Sequence, residues 1–573
     1  MHLIARRLPE GGVCVVRLGD DREVAGAGGA GAGDTAAAEE IVGPGDWPEF
    51  VRSVERDERG ARWVWDDTAS WYPPLLRSGV RIARAVDLRL CHAILRISEL
   101  TTGSELASAP HGAWDAPASA TREVDAGALF DLVGDDKDLE TVDPVAEFAA
   151  QRAAVATATP DARSRLSLLI AAESVGALIA AEMTFAGLPW NARRHDDLLT
   201  ELLGPRPAPG VRPRILQDVL DEVTSLLDVG PFSPESPGEL LRALQSAGIA
   251  ATSTRSWELK QFDHAAIGPL LRYKKLARLH TANGWNWLDQ WVHDGRFRPT
   301  YVPGGVVTGR WASDGGGALQ LPHQVRSAVV ADPGWRFVVA DAAQLEPRIL
   351  SALSGDEAMA AAARGVDLYD GMVAAGAVDT RPHAKVAMLG AMYGATTGES
   401  GRLLPRLARA YPKAIGFVEA AARAGERGER VSTRLGRSSP VPGPAWRELQ
   451  TQASGDAATE AIGRRARTEA RNWGRFTRNF VVQGTAAEWA LCWMASLRTR
   501  LLDLAGGAAL TRSAHLVFFL HDEIVVHCPE EHADQVARLV RDSAVEAGRL
   551  IFGSAPVDFP VTTAIVTSYD QAK

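Results

Sequence analysis

The stretch LVFFLHDEIVVHC, residues 516–528, decides the fold. Five apolar residues run into His521, Asp522 and Glu523, and apolar residues then resume. Such a run reads as two buried strands around a tight turn, with carboxylates held rigidly at the tip. A polar turn that merely solubilises a hairpin would read the same way. Working back along the chain, FVVADAAQLEPRIL (337–350) puts Asp341 at the end of an apolar strand that runs into a helix. The strand fixes the direction of the carboxylate and its open end admits a ligand, which suits metal binding; capping the following helix is the plain alternative. In TRPHAKVAMLGAMYG (380–394), Arg381, Lys385, Leu389 and Tyr393 recur every four residues, so a helix stacks them in one column. Pro382 and Gly394 are suitable start and stop signals. Two cations, an apolar residue and a ring suit a nucleoside triphosphate lying along the helix, although an ordinary amphipathic helix has the same pattern.

The remaining sequence bounds this reading. At 573 residues, the chain should divide into about three or four domains. Hydrophobic residues make up 46% and charged residues 23%, as in a soluble enzyme. No apolar run approaches the roughly 20 residues of a membrane span, and the N-terminus carries no secretion signal. Cys14, Cys91, Cys492 and Cys528 have no disulfide or zinc spacing, which fits a reducing cytoplasm. The net charge of -9 argues against a polyanionic partner, but residues 401–480 hold 16 Lys+Arg against 7 Asp+Glu. A basic stretch in an acidic chain fits either a local phosphate-binding surface or a solvated Arg-rich helical face. GVCVVRL and RWVWDD read as strands, residues 24–38 as Gly/Ala low complexity, and residues 162–300 as mostly helical.

In this order, the three stretches resemble the signature motifs of family A (DNA polymerase I-like) DNA polymerases. DAAQLEPR (341–348) is similar to D-Y-S-Q-I-E-L-R, the helix to R-x-x-x-K-x-x-x-F/Y-x-x-x-Y-G, and LHDEIV (520–525) to V-H-D-E. TGRWAS (308–313), followed by LQLP (319–322), resembles T-G-R-L-S-S, and RNFVVQGTAAE (478–488) resembles R-N-x-x-I-Q-G-T-A-A-D. The resemblance is strong over 300–573 and weak over 230–300. It implies a mixed α/β right-hand polymerase fold of palm, fingers and thumb, preceded by a ribonuclease H-like 3′–5′ exonuclease-type domain. The expected division is 1–160 exonuclease-like, 161–300 thumb and connecting helices, 301–356 palm, 357–470 fingers, and 471–573 the rest of the palm.

The implied reaction is attack of a primer 3′ hydroxyl on the α-phosphorus of a deoxynucleoside triphosphate, with pyrophosphate leaving. Two Mg²⁺ ions about 3.5–4 Å apart, with Mn²⁺ as a substitute, would sit on Asp341, Asp522 and the carbonyl of Ala342. Arg381 and Lys385 would bind the triphosphate, Lys385 would protonate the pyrophosphate, and His521 and Glu523 would support the primer terminus and metal shell. Gln344, Glu346, Leu389 and Tyr393 would complete the nucleotide site, with Glu346 as the gate against a ribose 2′ hydroxyl and Tyr393 stacking at the templating position. Arg310, Arg475, Asn479 and Gln483 would contact DNA; Arg310, Asn479 and Gln483 would do so in the minor groove, where acceptors sit alike for every pair. Partners are then primer-template DNA and deoxynucleoside triphosphates, the chain acting as a cytoplasmic monomer, nucleoid-associated when on DNA, with no membrane role. Ala342, Ala343, Pro347 and Leu389 depart from the usual Tyr, Ser, Leu and Phe/Tyr, and the stretch after the fingers helix is short.

VWDDTASWYPPLLRSGV and DLRLCHAIL resemble the proofreading domain, but its carboxylates are missing. The second motif offers Asp67 and Trp71, the third offers Phe148 to Arg152, and a literal D-x-E at Asp21 and Glu23 lies past Gly19 without partners. An inactive exonuclease-like domain is expected. An active proofreading polymerase and a silent DNA-binding scaffold are the alternatives, as is a related single-subunit RNA polymerase, which Glu346 and QGTAAE disfavour.

Overall fold

The structure is a computed structural model describing residues 1–19, 39–58, 60–116, 142–365, 367–394, 398–455 and 458–572. Asp21, Glu23 and the Gly/Ala run over 24–38 lie outside the described residues. The chain separates into two compact units. One takes in Met1–Ala186, Thr300–Asp314 and Val338–Ile565, and the other Gly187–Pro299, Gly315–Phe337 and Val566–Lys573.

The first unit begins with β1 (His2–Arg7), β2 (Val13–Leu18), β3 (Glu39–Val42), α1 (Trp47–Asp57), β4 (Arg62–Trp65), α2 (Thr68–Arg77), β5 (Ala85–Asp87) and α3 (Leu88–Ile97), followed by α4 (Pro144–Thr157). The strands form a five-stranded sheet in the order β3-β2-β1-β4-β5. Ile4 pairs with Val16 on the antiparallel side of β1 and with Val64 on the parallel side, and all three are buried. Asp67 caps α2 by accepting the Ala69 N–H at 2.9 Å. Trp71 is buried, donates to Asp66 at 2.6 Å, stacks on Trp65, and has the Arg7 guanidinium 4.6 Å from its ring centroid. On α4, Arg152 lies over the ring of Phe148, which packs against His2.

Next comes α5 (Pro160–Ala186), which corrects one expectation. By length and composition it could cross a membrane, yet most of its apolar window is buried inside the protein. It packs against α2 and β5 and against the segments Thr300–Val302, Glu460–Ala505 and His515–Leu520, so its apolar girth is that of a central core helix. The first unit continues with β6 (Thr300–Val302), β7 (Ala312–Asp314), β8 (Trp335–Ala342), α6 (Leu345–Ser354), α7 (Leu368–Ala374), α8 (Arg381–Tyr393), α9 (Pro412–Glu426), α10 (Glu460–Ala505), β9 (His515–Leu520), β10 (Glu523–Pro529), α11 (Ala533–Phe552) and β11 (Val561–Val566). Its second sheet has four strands in the order β9-β10-β8-β11. The 46-residue α10 starts at Thr459, whose side chain accepts the Ile462 N–H, and ends at left-handed Gly506.

Buried polar contacts fix α10. Arg498 pairs with Glu182 at 2.8 Å and donates to the carbonyls of Ile82 at 2.7 Å and Ala83 at 3.0 Å, while Tyr72 donates to the same Glu182 at 2.7 Å. Arg498 and Arg81 hold the Glu182 pKa down at about 2 despite its burial. A Cβ on Gly484 would meet Thr433 Cγ2 at 2.5 Å and the Thr308 carbonyl oxygen at 3.1 Å, so the helix passes those loops too closely for a side chain.

The second unit holds helices Ala192–Leu203, Arg214–Leu227, Pro237–Ser246 and Ile267–Asn283. Val223, Leu227, Leu240, Leu244 and Leu270 share one core, and Trp190, His195, Trp287 and Phe297 form an aromatic cluster. All four cysteines are buried thiols.

Two buried carboxyls make stability depend on pH. Burial raises Glu488 to about 7, against hydrogen bonds from Thr433 and the Leu435 N–H; burial and then the Asp67 charge raise Asp87 to about 7. The unfolded chain ionises such groups near pH 4, so the folded state binds more protons between about pH 4 and 7. Their contribution therefore favours the fold at low pH and is lost as pH rises to about 7. Glu488→Gln should unfold at a higher temperature than the parent near pH 8, with the gap closing near pH 5. Thermal scans by circular dichroism check this, and a gap independent of pH would contradict it.

Candidate active site

The site is built on the β9–β10 turn. Leu520 pairs with Glu523 across it, leaving His521 and Asp522 at the tip. His521 takes a left-handed φ of 60°, and the Asp522 N–H turns back to the Leu520 carbonyl at 2.8 Å. On the neighbouring strand β8, the Ala342 N–H donates to the Asp522 carbonyl at 2.9 Å. Asp341 directly precedes Ala342, so this bond sets two carboxylate-bearing residues, remote in sequence, on adjoining strand ends. Glu523 lies just inside, 2% exposed. His521 stays at the exposed tip, its pKa lowered first by partial desolvation and then by the charge of Arg310.

The column expected over Arg381–Tyr393 is present on α8. Thr380 caps α8 by accepting the His383 N–H, and Gly394 ends it with φ +71°. A Cβ at Gly394 would also meet Arg475 Cγ at 2.8 Å. Ala384, Ala387, Met388, Ala391 and Met392 are buried; Arg381, Lys385 and Tyr393 are exposed, with Leu389 half-buried between them. The helix thus turns its small residues and methionines inward and presents the column outward. On α10, Arg475, Asn479 and Gln483 follow at the same spacing, exposed or half-buried beside the buried Arg478, which donates to the Ala391 carbonyl at the end of α8 at 2.8 Å.

Three candidate residues from different motifs meet on one carboxylate. Arg310 donates to Glu346 Oε1, and the Tyr393 hydroxyl donates to Oε2 at 2.7 Å. Burial and the Glu346 charge push the Tyr393 phenol pKa well up, so it stays a donor. Glu346 lies in the first turn of α6, after Gln344, whose φ of 49° is also left-handed. Arg381 lies 2.8 Å from Asp367, a residue the sequence reading did not single out. Its signal was only that of a helix cap before α7; nothing in spacing linked it to Arg381.

The geometry offers paired carboxylates at a strand edge, a cationic column, a fixed Glu–Tyr–Arg cluster and a polar row on the long helix. By structure, the chain is similar to the POL domain of Pol1 from M. smegmatis in complex with DNA primer-template and dNTP, with TM-score 0.67 and 18% identity, covering 98% of this chain and 93% of that one. Among curated relatives, it is 26% identical over 380 residues to the thermostable DNA polymerase I of Thermus filiformis, covering 59% of this chain and 42% of that enzyme. It is 28% identical over 330 residues to DNA polymerase I of Chloroflexus aurantiacus, covering 53% of this chain and 32% of that one. The match thus spans less than half the length of either relative. The model for DNA polymerase family A matches residues 216–570, more than half of the chain, and the chain belongs to that family.

Proposed function

We propose that the chain is a DNA-directed DNA polymerase that extends a primer 3′ end on a template with deoxynucleoside triphosphates. The observation that carries this reading is the Ala342–Asp522 backbone bond, which brings Asp341 and Asp522 to adjoining ends of the two central strands. The donor set there is two carboxylates and the Ala342 carbonyl, all hard oxygen. Among the described residues, no group of three or more His, Cys, Asp or Glu could hold a metal ion. Such a sparse set fits Mg²⁺, which draws further ligands from water and substrate phosphates. Bound there, two Mg²⁺ ions would lower the pKa of the primer hydroxyl and neutralise the leaving pyrophosphate. Arg381 and Lys385 receive the triphosphate, and Lys385 Nζ carries the proton for the pyrophosphate. Glu346, fixed by Tyr393 and Arg310, closes the space a ribose 2′ hydroxyl would need. Arg310, Asn479 and Gln483 test base-pair shape in the minor groove, and Arg475 extends the DNA-contacting row.

The N-terminal part is read as an exonuclease-like domain without nuclease activity. Support comes from Trp71, where the resemblance wants a metal-binding carboxylate: its ring is taken by Arg7, and Arg152 supplies a second cation on α4. The same reading keeps the five-part division from 1–160 to 471–573 and takes the chain to act as a cytoplasmic monomer.

Primer extension with Mg²⁺ is the direct test. The parent should extend, and Asp341→Asn or Asp522→Asn should lower the rate by about a thousandfold, the several kcal/mol of charge stabilisation lost with the metal. No extension by the parent, or undiminished extension by both variants, would refute the reading. A mismatched primer incubated with Mg²⁺ and no nucleotides should keep its length; shortening that persists in Asp341→Asn would establish an active nuclease. Leu389→Tyr should change the dideoxy/deoxy incorporation ratio by about two- to tenfold, the worth of a ring contact; an unchanged ratio would show that this position does not touch the sugar.

A further inference from the structure

An anion already holds Arg381, the first cation of the column. Asp367 Oδ2 lies 2.8 Å from its Nη2, Asp370 is 3.9 Å away, and the guanidinium sits 5.5 Å from the Tyr369 ring centroid. The same Oδ2 accepts Gln344 Nε2 at 2.9 Å. The other oxygen, Oδ1, accepts the N–H groups of Tyr369 at 2.9 Å and Asp370 at 3.1 Å, capping α7. Gln344 Oε1 in turn accepts the Leu368 N–H at 3.3 Å. One carboxylate oxygen therefore joins the left-handed turn just after Asp341 to the first turn of α8.

We infer that Asp367 is a positioning residue for nucleotide entry: it occupies the guanidinium that the triphosphate must take, so the nucleotide enters by exchanging phosphate for carboxylate. This rests on the polymerase reading. Arg381 is half exposed, and an ion pair of that kind is weak and readily exchanged. A polyphosphate brings more charge and a matching fork of oxygens, so it displaces the carboxylate. The displaced Asp367 remains anchored by Gln344 and two backbone N–H groups, and its charge opposes the incoming one. The carboxylate thus keeps Arg381 aimed while lowering affinity for any polyphosphate that must displace it. Release of Arg381 also frees the start of α8 from Gln344, linking nucleotide arrival to movement at the fingers end of the site.

Asp367→Asn removes the charge and keeps a good helix cap; Asp367→Ser does the same with a shorter side chain. In calorimetric titration of the full chain with inorganic tripolyphosphate and Mg²⁺, both variants should bind about three- to fivefold more tightly than the parent, with the difference shrinking at high salt. The KM for deoxynucleotide should fall by a similar factor, with kcat held within about twofold. A cap-only role would instead leave tripolyphosphate affinity where it was, since both variants keep the cap. Unchanged or weaker tripolyphosphate binding in both variants overturns the inference. Because that titration needs no catalysis, it judges Asp367 even if the parent fails to extend a primer, an outcome that would count against the polymerase reading alone.

Discussion

The hydrogen bond from the Ala342 N–H to the Asp522 carbonyl is the constraint on which the site depends. A carboxylate pair can share cations only if two distant strands are fixed in register, and a backbone bond at the strand ends does this without using either carboxylate. The register has a conformational cost. Among the described residues, the non-glycine positions with positive φ are Asp228, Asp294, Gln344 and His521, and two of these flank the pair. Left-handed backbone at such residues costs on the order of 1–3 kcal/mol and persists where surrounding structure over-determines it. Here β9–β10 pairing fixes His521, and the contacts to Asp367 and Leu368 fix Gln344.

The second requirement is that α8 and the Arg475–Asn479–Gln483 row keep their places beside that pair. The long α10 meets it. Near its middle, Arg478 holds the end of α8 through the Ala391 carbonyl. Close to its C-terminus, Arg498 is buried against Glu182 and the Ile82 and Ala83 carbonyls. Removing one partner from a buried pair leaves an uncompensated charge, so these contacts lock the helix more firmly than their modest net stabilisation suggests. Helices α2 and α5 and the Ile82–Ala83 segment thus brace the helix that carries Arg475, Asn479 and Gln483.

What the sequence made legible follows from periodicity. Helix α8 has one buried and one open face, which four-residue spacing exposes directly; β8, β9 and β10 are buried over most of their length, and it is continuous apolar runs broken by carboxylates that reveal them. β1 was not anticipated: its buried run, Leu3, Ile4 and Ala5, is only three residues long before Arg6 and Arg7, too short to stand out as an apolar strand. The apolar length of α5 was missed because polar residues such as Glu173 and Glu182 interrupt it, and these are buried only because Arg437 and Arg498 lie opposite them. Asp367 escaped for a related reason, since its partners come from two other segments. The interleaving of the second unit from three stretches of chain is likewise a matter of tertiary contact, which no local pattern encodes.

The departures from the family motifs make sense in the same terms. Ala342 and Ala343 act through their backbones: one donates to Asp522, and the other offers its carbonyl to Arg348 at 3.1 Å. A side chain is dispensable where the main chain does the work. Pro347 falls in the first turn of α6, where a missing N–H breaks no helical bond. Arg348, kept from the motif, is 1% exposed and donates also to the Ala363 carbonyl at 2.9 Å and the Asp558 carbonyl at 3.1 Å, so it knits three segments beneath the turn. Leu389 differs from these, because it lies half-buried on the outward column of α8, where the side chain and not the main chain shapes the surface. The changes at Ala342, Ala343 and Pro347 thus fall where backbone geometry shapes the turn, and the change at Leu389 falls on the open face of α8.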